Sequence, residues 1–341
     1  MHQELGQVIF VAEVSANHLG SLSRAREIVA AAAQAGANAI KFQTYTAETM
    51  TLDINLPEFC VVENHELWGG RSLFSLYQEA HTPWEWHKEL FDLCRDLGVQ
   101  PFSSPFDLSA VAFLEKLDTP MYKIASLETS DHALIRAVAE TGKPLIISTG
   151  ATKLEEIDDL VRVVEKTGNK DLTLLVCTSS YPSHPIDAHL NRMATLKDYF
   201  GVKVGVSDHT LGIGVSIAAI ALGATVIEKH ITLKRADGGA DGAFSMEPEE
   251  FAMLVKEGTS AQIALGDSVW RIQASEEESR RSRRSLYIVN DVIAGEVVSY
   301  KNVRAIRPGG GCSPKFLEEF LGRKFLESHK VGTPMSQDLV E

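Results

Sequence analysis

Polar side chains recur at the ends of short apolar segments, and several are of types that bind anions. Lys41 and Lys123 each follow an apolar residue inside such a segment, where an unpaired ammonium group is strongly destabilised. An anionic ligand would stabilise both, because ammonium groups neutralise charge and nearby hydroxyls donate hydrogen bonds. These lysines therefore predict a site for a phosphate and a carboxylate, although they could instead pair with Glu13 or Glu128 in a structural network. The hydroxyls come from Ser104, Ser126, Ser148 and Ser207.

Two histidines, His209 and His230, end the last two apolar segments. Two imidazoles with a few oxygens suit a divalent transition metal such as manganese, iron or zinc. Their separation of 21 residues matches no standard ligand motif, and a buried histidine is often only hydrogen-bonded. A metal site and a structural role both remain open, and His18, which follows the first segment, is left unassigned.

These residues lie within a regular alternation of apolar segments and helical stretches. Such alternation predicts a parallel sheet with crossover helices, and eight units within about 260 residues favour an α/β fold of the (β/α)8 barrel type. The active site of such a barrel lies at the carboxyl ends of the strands, where the polar residues are. The predicted strands start near Val8, Ala39, Val99, Met121, Pro144, Leu172, Lys203 and Thr225.

The clearest predicted helix runs from Leu22 to Ala35, with Ser21 as its cap and Gly36 as its stop. Further helices follow Ser109, Ser130 and Lys153, and the last barrel helix ends near Leu265. The second connection, Thr44 to Gly98, is too long for a single strand–helix unit.

A change of composition after the barrel predicts a second, smaller domain. We expect the barrel over 1–270, a linker over 271–285 and a C-terminal domain over 286–341 with short strands, a glycine turn at Gly309 to Gly311 and a short helix near Pro314 to Leu321. The arginines at 280, 281, 283 and 284 stand beside three glutamates, which is typical of a solvated linker.

The composition and net charge argue against several classes of protein. The 341 residues include 33 Lys and Arg against 46 Asp and Glu, a net charge of −13 that disfavours a general nucleic-acid binder. The polar segment Met1 to Gly6 lacks the features of a secretion signal, and no apolar run has membrane-spanning length. Four cysteines without disulfide or metal spacing fit a reducing compartment, so we expect a cytoplasmic protein.

Several longer motifs resemble one known family. The chain resembles the nonulosonic acid synthases, also called the sialic acid synthase family, over its whole length. The resemblance implies a TIM barrel followed by an antifreeze-like (SAF) domain. Within the family, LWGGRSLFSLYQEAHTPWEW and GGADGAFSMEP resemble the pseudaminic acid synthase branch most. The family motifs are AEVSANHLGS, AGANAIKFQTYT, FSSPFD, YKIAS, ISTGA, CTSSYP, GVSDHTLGI, EKHITL, SRRSLY and RPGGG.

Members of this family condense phosphoenolpyruvate with an amino-sugar aldehyde and release phosphate. By resemblance, a manganese-type ion, with magnesium or cobalt as other possibilities, would be held by His209 and His230 and polarise the aldehyde oxygen. Glu13, Glu128 and Lys123 would be catalytic. The phosphoenolpyruvate site would be Lys41, Ser104, Lys123, Ser126, Ser148, Ser179 and Ser207. The sugar site would be Glu13, Gln43, Tyr181, Asp241 and Arg307.

Arg307 would reach the barrel of a neighbouring subunit, which implies a domain-swapped homodimer. Three alternatives stay open: a legionaminate or N-acetylneuraminate synthase on the same fold, a non-catalytic sugar-binding protein, and a metal-dependent hydrolase. A hydrolase would normally carry a His-x-His pair on the first strand, and that strand offers only His18.

Overall fold

Eight parallel strands form a closed barrel in which each strand pairs with the next and β8 pairs with β1. The computed structural model describes residues 7–62 and 69–341. Every strand begins within one residue of its predicted start, so the predicted TIM barrel is confirmed. The strands are β1 (Ile9–Glu13), β2 (Ala39–Thr44), β3 (Gln100–Pro105), β4 (Tyr122–Ile124), β5 (Leu145–Ser148), β6 (Leu172–Cys177), β7 (Lys203–Ser207) and β8 (Val226–His230).

Helices follow the strands and cover the outside of the barrel. The hydroxyl of Ser21 accepts a hydrogen bond from the backbone N–H of Arg24 and so caps α1, as predicted. Gly36 adopts a φ of 93° just after this helix, a conformation that favours glycine. The helices of this unit are α1 (Leu22–Gln34), α2 (Ala47–Met50), α3 (Leu73–Ala80), α4 (Trp84–Asp96), α5 (Leu108–Lys116), α6 (His132–Ala139), α7 (Leu154–Thr167), α8 (Arg192–Phe200), α9 (Gly214–Ala221) and α10 (Pro248–Leu265).

Short 3-10 helices occur in several connections. One of them, Ser126–Glu128, directly follows β4 and carries two predicted site residues. The others are Ser15–His18, Pro57–Phe59, Pro185–Asp187, Arg235–Asp237, Gly242–Phe244, Ala274–Glu276, Pro314–Phe316 and Gln337–Leu339.

The barrel interior is layered. An apolar layer fills its amino-terminal part, and because side chains alternate along a strand, the residue two positions later also points inward. This period of two places a polar layer above the apolar one. The apolar layer is Val11, Ala39, Phe102, Met121, Ile146, Leu175 and Val226. The buried side chains two positions later are Glu13, Lys41, Ser104, Lys123, Ser148, Cys177 and Glu228.

The oversized second connection contains more than a crossover helix. The helix α4 makes the crossover from β2 to β3, and α2, α3 and a bridge between Cys60 and Ser72 are additional. Met1 to Gly6 of the predicted polar N-terminus lie outside the described residues. The same holds for Leu67 and Trp68, which begin one of the branch motifs.

The chain divides into two compact units, Met1–Gly266 and Asp267–Glu341. In the second unit, β9 (Ser285–Ile288) pairs antiparallel with β10 (Val303–Ile306), and two further short helices occur, α11 (Glu277–Arg281) and α12 (Leu317–Phe320). Its core is formed by Leu286, Ile288, Val292, Val298, Val303, Phe320, Phe325, Met335 and Val340.

One strand-like segment of the second unit, VVSY from Val297, is not a strand. It forms only an isolated antiparallel bridge, between Val297 and Lys324. The side chain of Asn302 accepts a hydrogen bond from the N–H of Ser299 and donates one to the carbonyl of Val297. No helix within the described ranges is both long enough and apolar enough to cross a bilayer.

Candidate active site

A cavity of about 310 Å³ opens at the carboxyl ends of the barrel strands. It contains most of the residues singled out from the sequence, drawn from all strands except β3. The predicted residues that line it are Glu13, Lys41, Gln43, Lys123, Ser126, Glu128, Ser148, Ser179, Tyr181, Ser207, His209, His230 and Asp241.

Two lysines and two glutamates form a buried cluster on the floor of this cavity. The Nζ atom of Lys41 lies 2.8 Å from Oε2 of Glu13 and 3.6 Å from Oε1 of Glu228. Lys123 Nζ lies 3.5 Å from the same Glu228 oxygen. Lys41 thus has the Glu13 partner that the structural alternative proposed, whereas Lys123 pairs with Glu228 rather than with Glu128. With all four groups ionised the cluster is electrically neutral.

The two glutamates of this cluster differ in acidity. Burial raises the pKa of Glu13 above its ordinary value, and Lys41 only partly offsets the effect. Burial acts on Glu228 too, but Lys123 and Lys41 outweigh it and lower the pKa of that carboxyl. Burial also lowers the pKa of Lys123. As the pH falls, Glu13 is therefore protonated before Glu228.

Several buried polar atoms around the cavity have no hydrogen-bond partner among the described residues. Buried hydroxyls and carboxylates are normally paired, so a group of unpaired ones facing one cavity indicates a polar ligand. The atoms are Ser148 Oγ, Ser179 Oγ, Glu128 Oε2, Glu228 Oε2 and His230 Nδ1.

A glycine allows the serine hydroxyls to come together. The backbone N–H of Gly150, just after β5, donates to Ser126 Oγ at 3.0 Å. A Cβ atom at this position would collide with the hydroxyls of Ser179 and Ser126. With the serine hydroxyls in these positions, only glycine fits at residue 150.

His209 and His230 face each other with ring centroids 5.2 Å apart. The Nδ1 atom of His209 lies 3.0 Å from the carbonyl of Thr178, a contact that leaves Nε2 available as a ligand atom. Burial and the neighbouring cations lower the pKa of His230 well below its ordinary value, so that its imidazole is neutral.

This donor set fits a divalent transition ion. The Nδ1 atom of His230 is buried without a hydrogen-bond partner in the described part of the chain, and Asp241 Oδ2 is 4.0 Å away. No third His, Cys, Asp or Glu within the described ranges completes a metal-binding cluster with them. An ion bound by these two imidazoles would keep its remaining coordination positions for oxygen ligands.

Asp241 holds the remaining polar residues of the cavity in place. Its Oδ2 atom accepts hydrogen bonds from the hydroxyl of Ser15 and from the backbone N–H of Ala16. Gln43 Nε2 donates to both Glu13 Oε1 and Ser15 Oγ at 2.9 Å. The ring of Tyr181 packs 4.5 Å from that of His209. The predicted sugar-binding residues of the barrel thus form one connected surface.

Two predicted site residues do not line the cavity. Ser104 lies in the wall and accepts a hydrogen bond from Lys41 Nζ at 3.4 Å. Arg307 is exposed and directly follows β10 in the second unit. His18 is buried, with Nε2 3.3 Å from Thr82 Oγ1 and its ring against Trp86, which is a structural environment.

Sequence reasoning assigned no role to several cavity residues, among them Glu228, Cys177 and Ser15. Glu228 and Cys177 each lie two positions after a residue of the apolar interior layer, so the period of two within strands could have identified them. The sulfur of Cys177 is 4.0 Å from His209 Nδ1. Ser15 has a positive φ of 45° beyond the end of β1, and no sequence pattern signals that conformation.

Comparison with known proteins identifies the family of this chain. The model of the NeuB family matches residues 28–270. The chain belongs to the NeuB family. The family resemblance of the sequence motifs is thereby confirmed.

Individual relatives of this NeuB-family protein carry different names. It is 43% identical to "Pseudaminic acid synthase" of Helicobacter pylori, over 97% of both chains. It is 36% identical to "N,N'-diacetyllegionaminic acid synthase" of Campylobacter jejuni, over 95% of this chain and 97% of the other. The crystal structure of an N-acetylneuraminic acid synthetase from Leptospira borgpetersenii in complex with citrate matches with a TM-score of 0.72 and 33% identity, covering 81% of this chain and 90% of that one.

Proposed function

We propose that this protein is a pseudaminic acid synthase. It condenses phosphoenolpyruvate with 2,4-diacetamido-2,4,6-trideoxy-L-altrose and releases phosphate by cleavage of the C–O bond. The observation that carries the proposal is the 43% identity to the Helicobacter pylori enzyme over nearly all of both chains. The lower identity of 36% to a legionaminic acid synthase makes that activity the second candidate.

The floor of the cavity suits phosphoenolpyruvate. Lys41 and Lys123 would neutralise its phosphate and carboxylate, and the unpartnered hydroxyls of Ser148 and Ser179 would donate hydrogen bonds to its oxygens. Ser126 can donate as well, because its oxygen already accepts a bond from Gly150. Ser207 donates to Glu228 Oε1 at 2.8 Å and so orients the glutamate between the lysines.

The reaction needs one proton donor and one proton acceptor. The C3 atom of phosphoenolpyruvate attacks the aldehyde carbon, whose oxygen takes up a proton. Water adds at C2 and loses a proton, and the C–O bond to phosphate then breaks. Glu13 and Glu128 are our candidates for these transfers, because burial raises the pKa of each carboxyl toward neutrality.

His209 and His230 would hold a divalent ion, and we infer manganese. When bound, the ion supplies Lewis acidity toward the aldehyde oxygen. Asp241 and Gln43 would orient the sugar through the hydrogen-bonded surface that joins them to Glu13. Tyr181 would contribute an aromatic wall beside His209.

We further propose that residues 286–341 form an antifreeze-like (SAF) domain, joined to the barrel of residues 1–270 by a linker over 271–285. Arg307 of one subunit would complete the sugar site of its neighbour in a domain-swapped homodimer. The four free cysteines fit a cytoplasmic enzyme.

The proposed function is tested by phosphate release from phosphoenolpyruvate in the presence of manganese. Three reactions are compared, with the trideoxy diacetamido sugar, with N-acetylmannosamine and with no sugar, each with and without a chelator. Release that needs the trideoxy sugar and stops on chelation supports the proposal. Release with N-acetylmannosamine instead would move the enzyme to another branch, and release with no sugar would contradict synthase chemistry.

A further inference from the structure

One side of the cavity is apolar, and it comes from the oversized second connection rather than from the strand ends. Leu73, Leu76, Tyr77 and Ala80 of α3 line the cavity. Their spacing of three, four and seven residues places them on one face of the helix. Met50, at the end of α2, lines the cavity as well. The polar floor and this apolar wall therefore belong to one continuous site.

The wall is held in place by contacts within the connection and by a contact with Phe106, which follows β3. The hydroxyl of Ser72 accepts a hydrogen bond from the N–H of Ser75 and caps α3. The Tyr77 ring meets the Tyr45 ring edge-on at 5.8 Å, and Tyr45 meets Phe106 at 5.1 Å. Trp84 Nε1 donates to the carbonyl of Tyr45 at 3.1 Å. These contacts make a preformed surface, which suits selective binding of a ligand.

We propose that this face of α3 selects the sugar substrate by burying its methyl groups. The proposal rests on the proposed function, because it concerns the far end of the same aldehyde substrate. With the reactive end of the sugar over the polar floor, its other end faces the wall. A 2,4-diacetamido-2,4,6-trideoxy sugar presents the methyl of C6 and the acetamido methyl at C4.

N-acetylmannosamine carries hydroxyl groups at both of those positions. Against the leucine, alanine and methionine side chains of this wall, these hydroxyls lose hydrogen bonds to water and gain none, which costs binding energy. The methyl groups of the trideoxy sugar instead remove apolar surface from water. The wall thus discriminates in both directions, in favour of deoxy and acetamido groups and against hydroxyls.

The test replaces a wall residue with a polar one of similar size. Leu73→Asn is compared with Leu52→Asn, which changes a leucine of the same connection that is 60% exposed. For Leu73→Asn we expect kcat/KM for the trideoxy sugar to fall by roughly 10- to 100-fold, with little change for N-acetylmannosamine. The KM for phosphoenolpyruvate stays unchanged, and Leu52→Asn resembles the wild type. If wild-type turnover of N-acetylmannosamine is undetectable, its inhibition constant is measured instead.

A second pair of variants keeps the test valid if Leu73→Asn fails to fold. Val61 lines the cavity and Val62 is 66% exposed, so Val61→Thr and Val62→Thr make the same small change at neighbouring positions. We expect only Val61→Thr to lower the preference for the trideoxy sugar. Leu73→Met, which keeps the wall apolar, should retain the preference.

Each outcome separates this inference from the function on which it rests. Suppose that the wild type prefers the trideoxy sugar, but that Leu73→Asn and Val61→Thr either keep that preference or lose activity equally with both sugars. The wall then does not select the sugar, so this inference is wrong while the proposed function stands. If the wild type does not use the trideoxy sugar at all, both are overturned.

Discussion

At the scale of single residues, the site contains groups that lack partners within the described ranges and would gain them from a ligand. Ser148 and Ser179 are buried at Oγ without a hydrogen bond there, and Glu128 Oε2 shares this property. An unpaired buried polar group costs about 1 to 3 kcal/mol, a cost that a bound anion would remove at the two serine hydroxyls. Unpaired buried hydroxyls of this kind reduce the stability of the ligand-free protein and increase its affinity for the anion.

Ser179→Ala tests whether this hydroxyl lowers the stability of the protein while it strengthens binding of phosphoenolpyruvate. Removing an unpaired buried hydroxyl should leave the melting temperature of the ligand-free protein unchanged or raise it. The KM for phosphoenolpyruvate should rise about ten-fold, since one hydrogen bond to the anion is lost. Thermal unfolding and steady-state kinetics provide the two readouts.

Ser216→Ala is the matched control, because that hydroxyl donates to Asp208 Oδ2 at 2.6 Å. It should lower the melting temperature and leave the KM for phosphoenolpyruvate near the wild-type value. A Ser179→Ala protein that is destabilised with unchanged KM would show that the hydroxyl has a structural partner.

The lowered pKa of Glu228 gives a prediction about pH. Lys123 and Lys41 outweigh burial, so the carboxyl is more acidic in the folded than in the unfolded protein. A lowered carboxyl pKa stabilises the fold fully above the ordinary value of 4.5 and progressively less as the pH falls below it. Glu228→Gln should therefore cost more stability at neutral pH than in acid, as measured by urea unfolding.

Glu249→Gln removes an exposed carboxyl of α10 and is the surface comparison for this experiment. A stability difference between wild type and Glu228→Gln that stays constant down to the acid limit of the native state would mean that Glu228 is not held ionised by the lysines.

At the scale of elements, strands β7 and β8 bring the two histidines together. Behind them, facing away from the cavity, Asp208 Oδ2 and Lys229 Nζ form a buried ion pair at 3.1 Å. Lys229 also donates to the carbonyls of Thr210 and Gly212. Each member of the pair is the chain neighbour of one histidine, so the pair fixes the two strand ends relative to each other.

Asp208→Asn should destabilise the protein by about 3 to 5 kcal/mol, because it leaves a buried ammonium group without its counter-charge. Urea unfolding gives the free energy. The comparison is Asp171→Asn, which breaks an exposed ion pair with Lys203 and should cost less than about 1 kcal/mol. Equal costs for the two variants would show that the Asp208 pair is not desolvated.

The strands could be predicted from the sequence because buried parallel strands are short, apolar and regularly spaced. Lys41, Lys123 and the serines were identifiable for the same reason, as polar residues at strand ends. The pairing of Lys123 with Glu228 was not, because it depends on barrel closure and strand register. The helix α3 wall also escaped prediction, since the long connection has no regular pattern relating Leu73 to the strand ends.

At the scale of the whole molecule, the proposed role of Arg307 requires two chains. Arg307→Ala and Glu13→Gln should each be inactive as separate preparations. Mixed and reassembled, they should regain part of the activity, because a barrel from the Arg307→Ala chain would receive Arg307 from its partner. Activity that does not return on mixing, with heterodimers verified by mass spectrometry, would place the action of Arg307 within its own chain or outside the site.

The proposed reaction is a condensation with C–O cleavage in the barrel cavity. The most direct measurement uses phosphoenolpyruvate labelled with ¹⁸O in the bridging position, together with manganese and the trideoxy diacetamido sugar, and mass spectrometry of the products. We predict a nine-carbon keto acid and phosphate that retains the label. Labelled pyruvate with unlabelled phosphate would mean cleavage of the P–O bond and would contradict the proposed reaction.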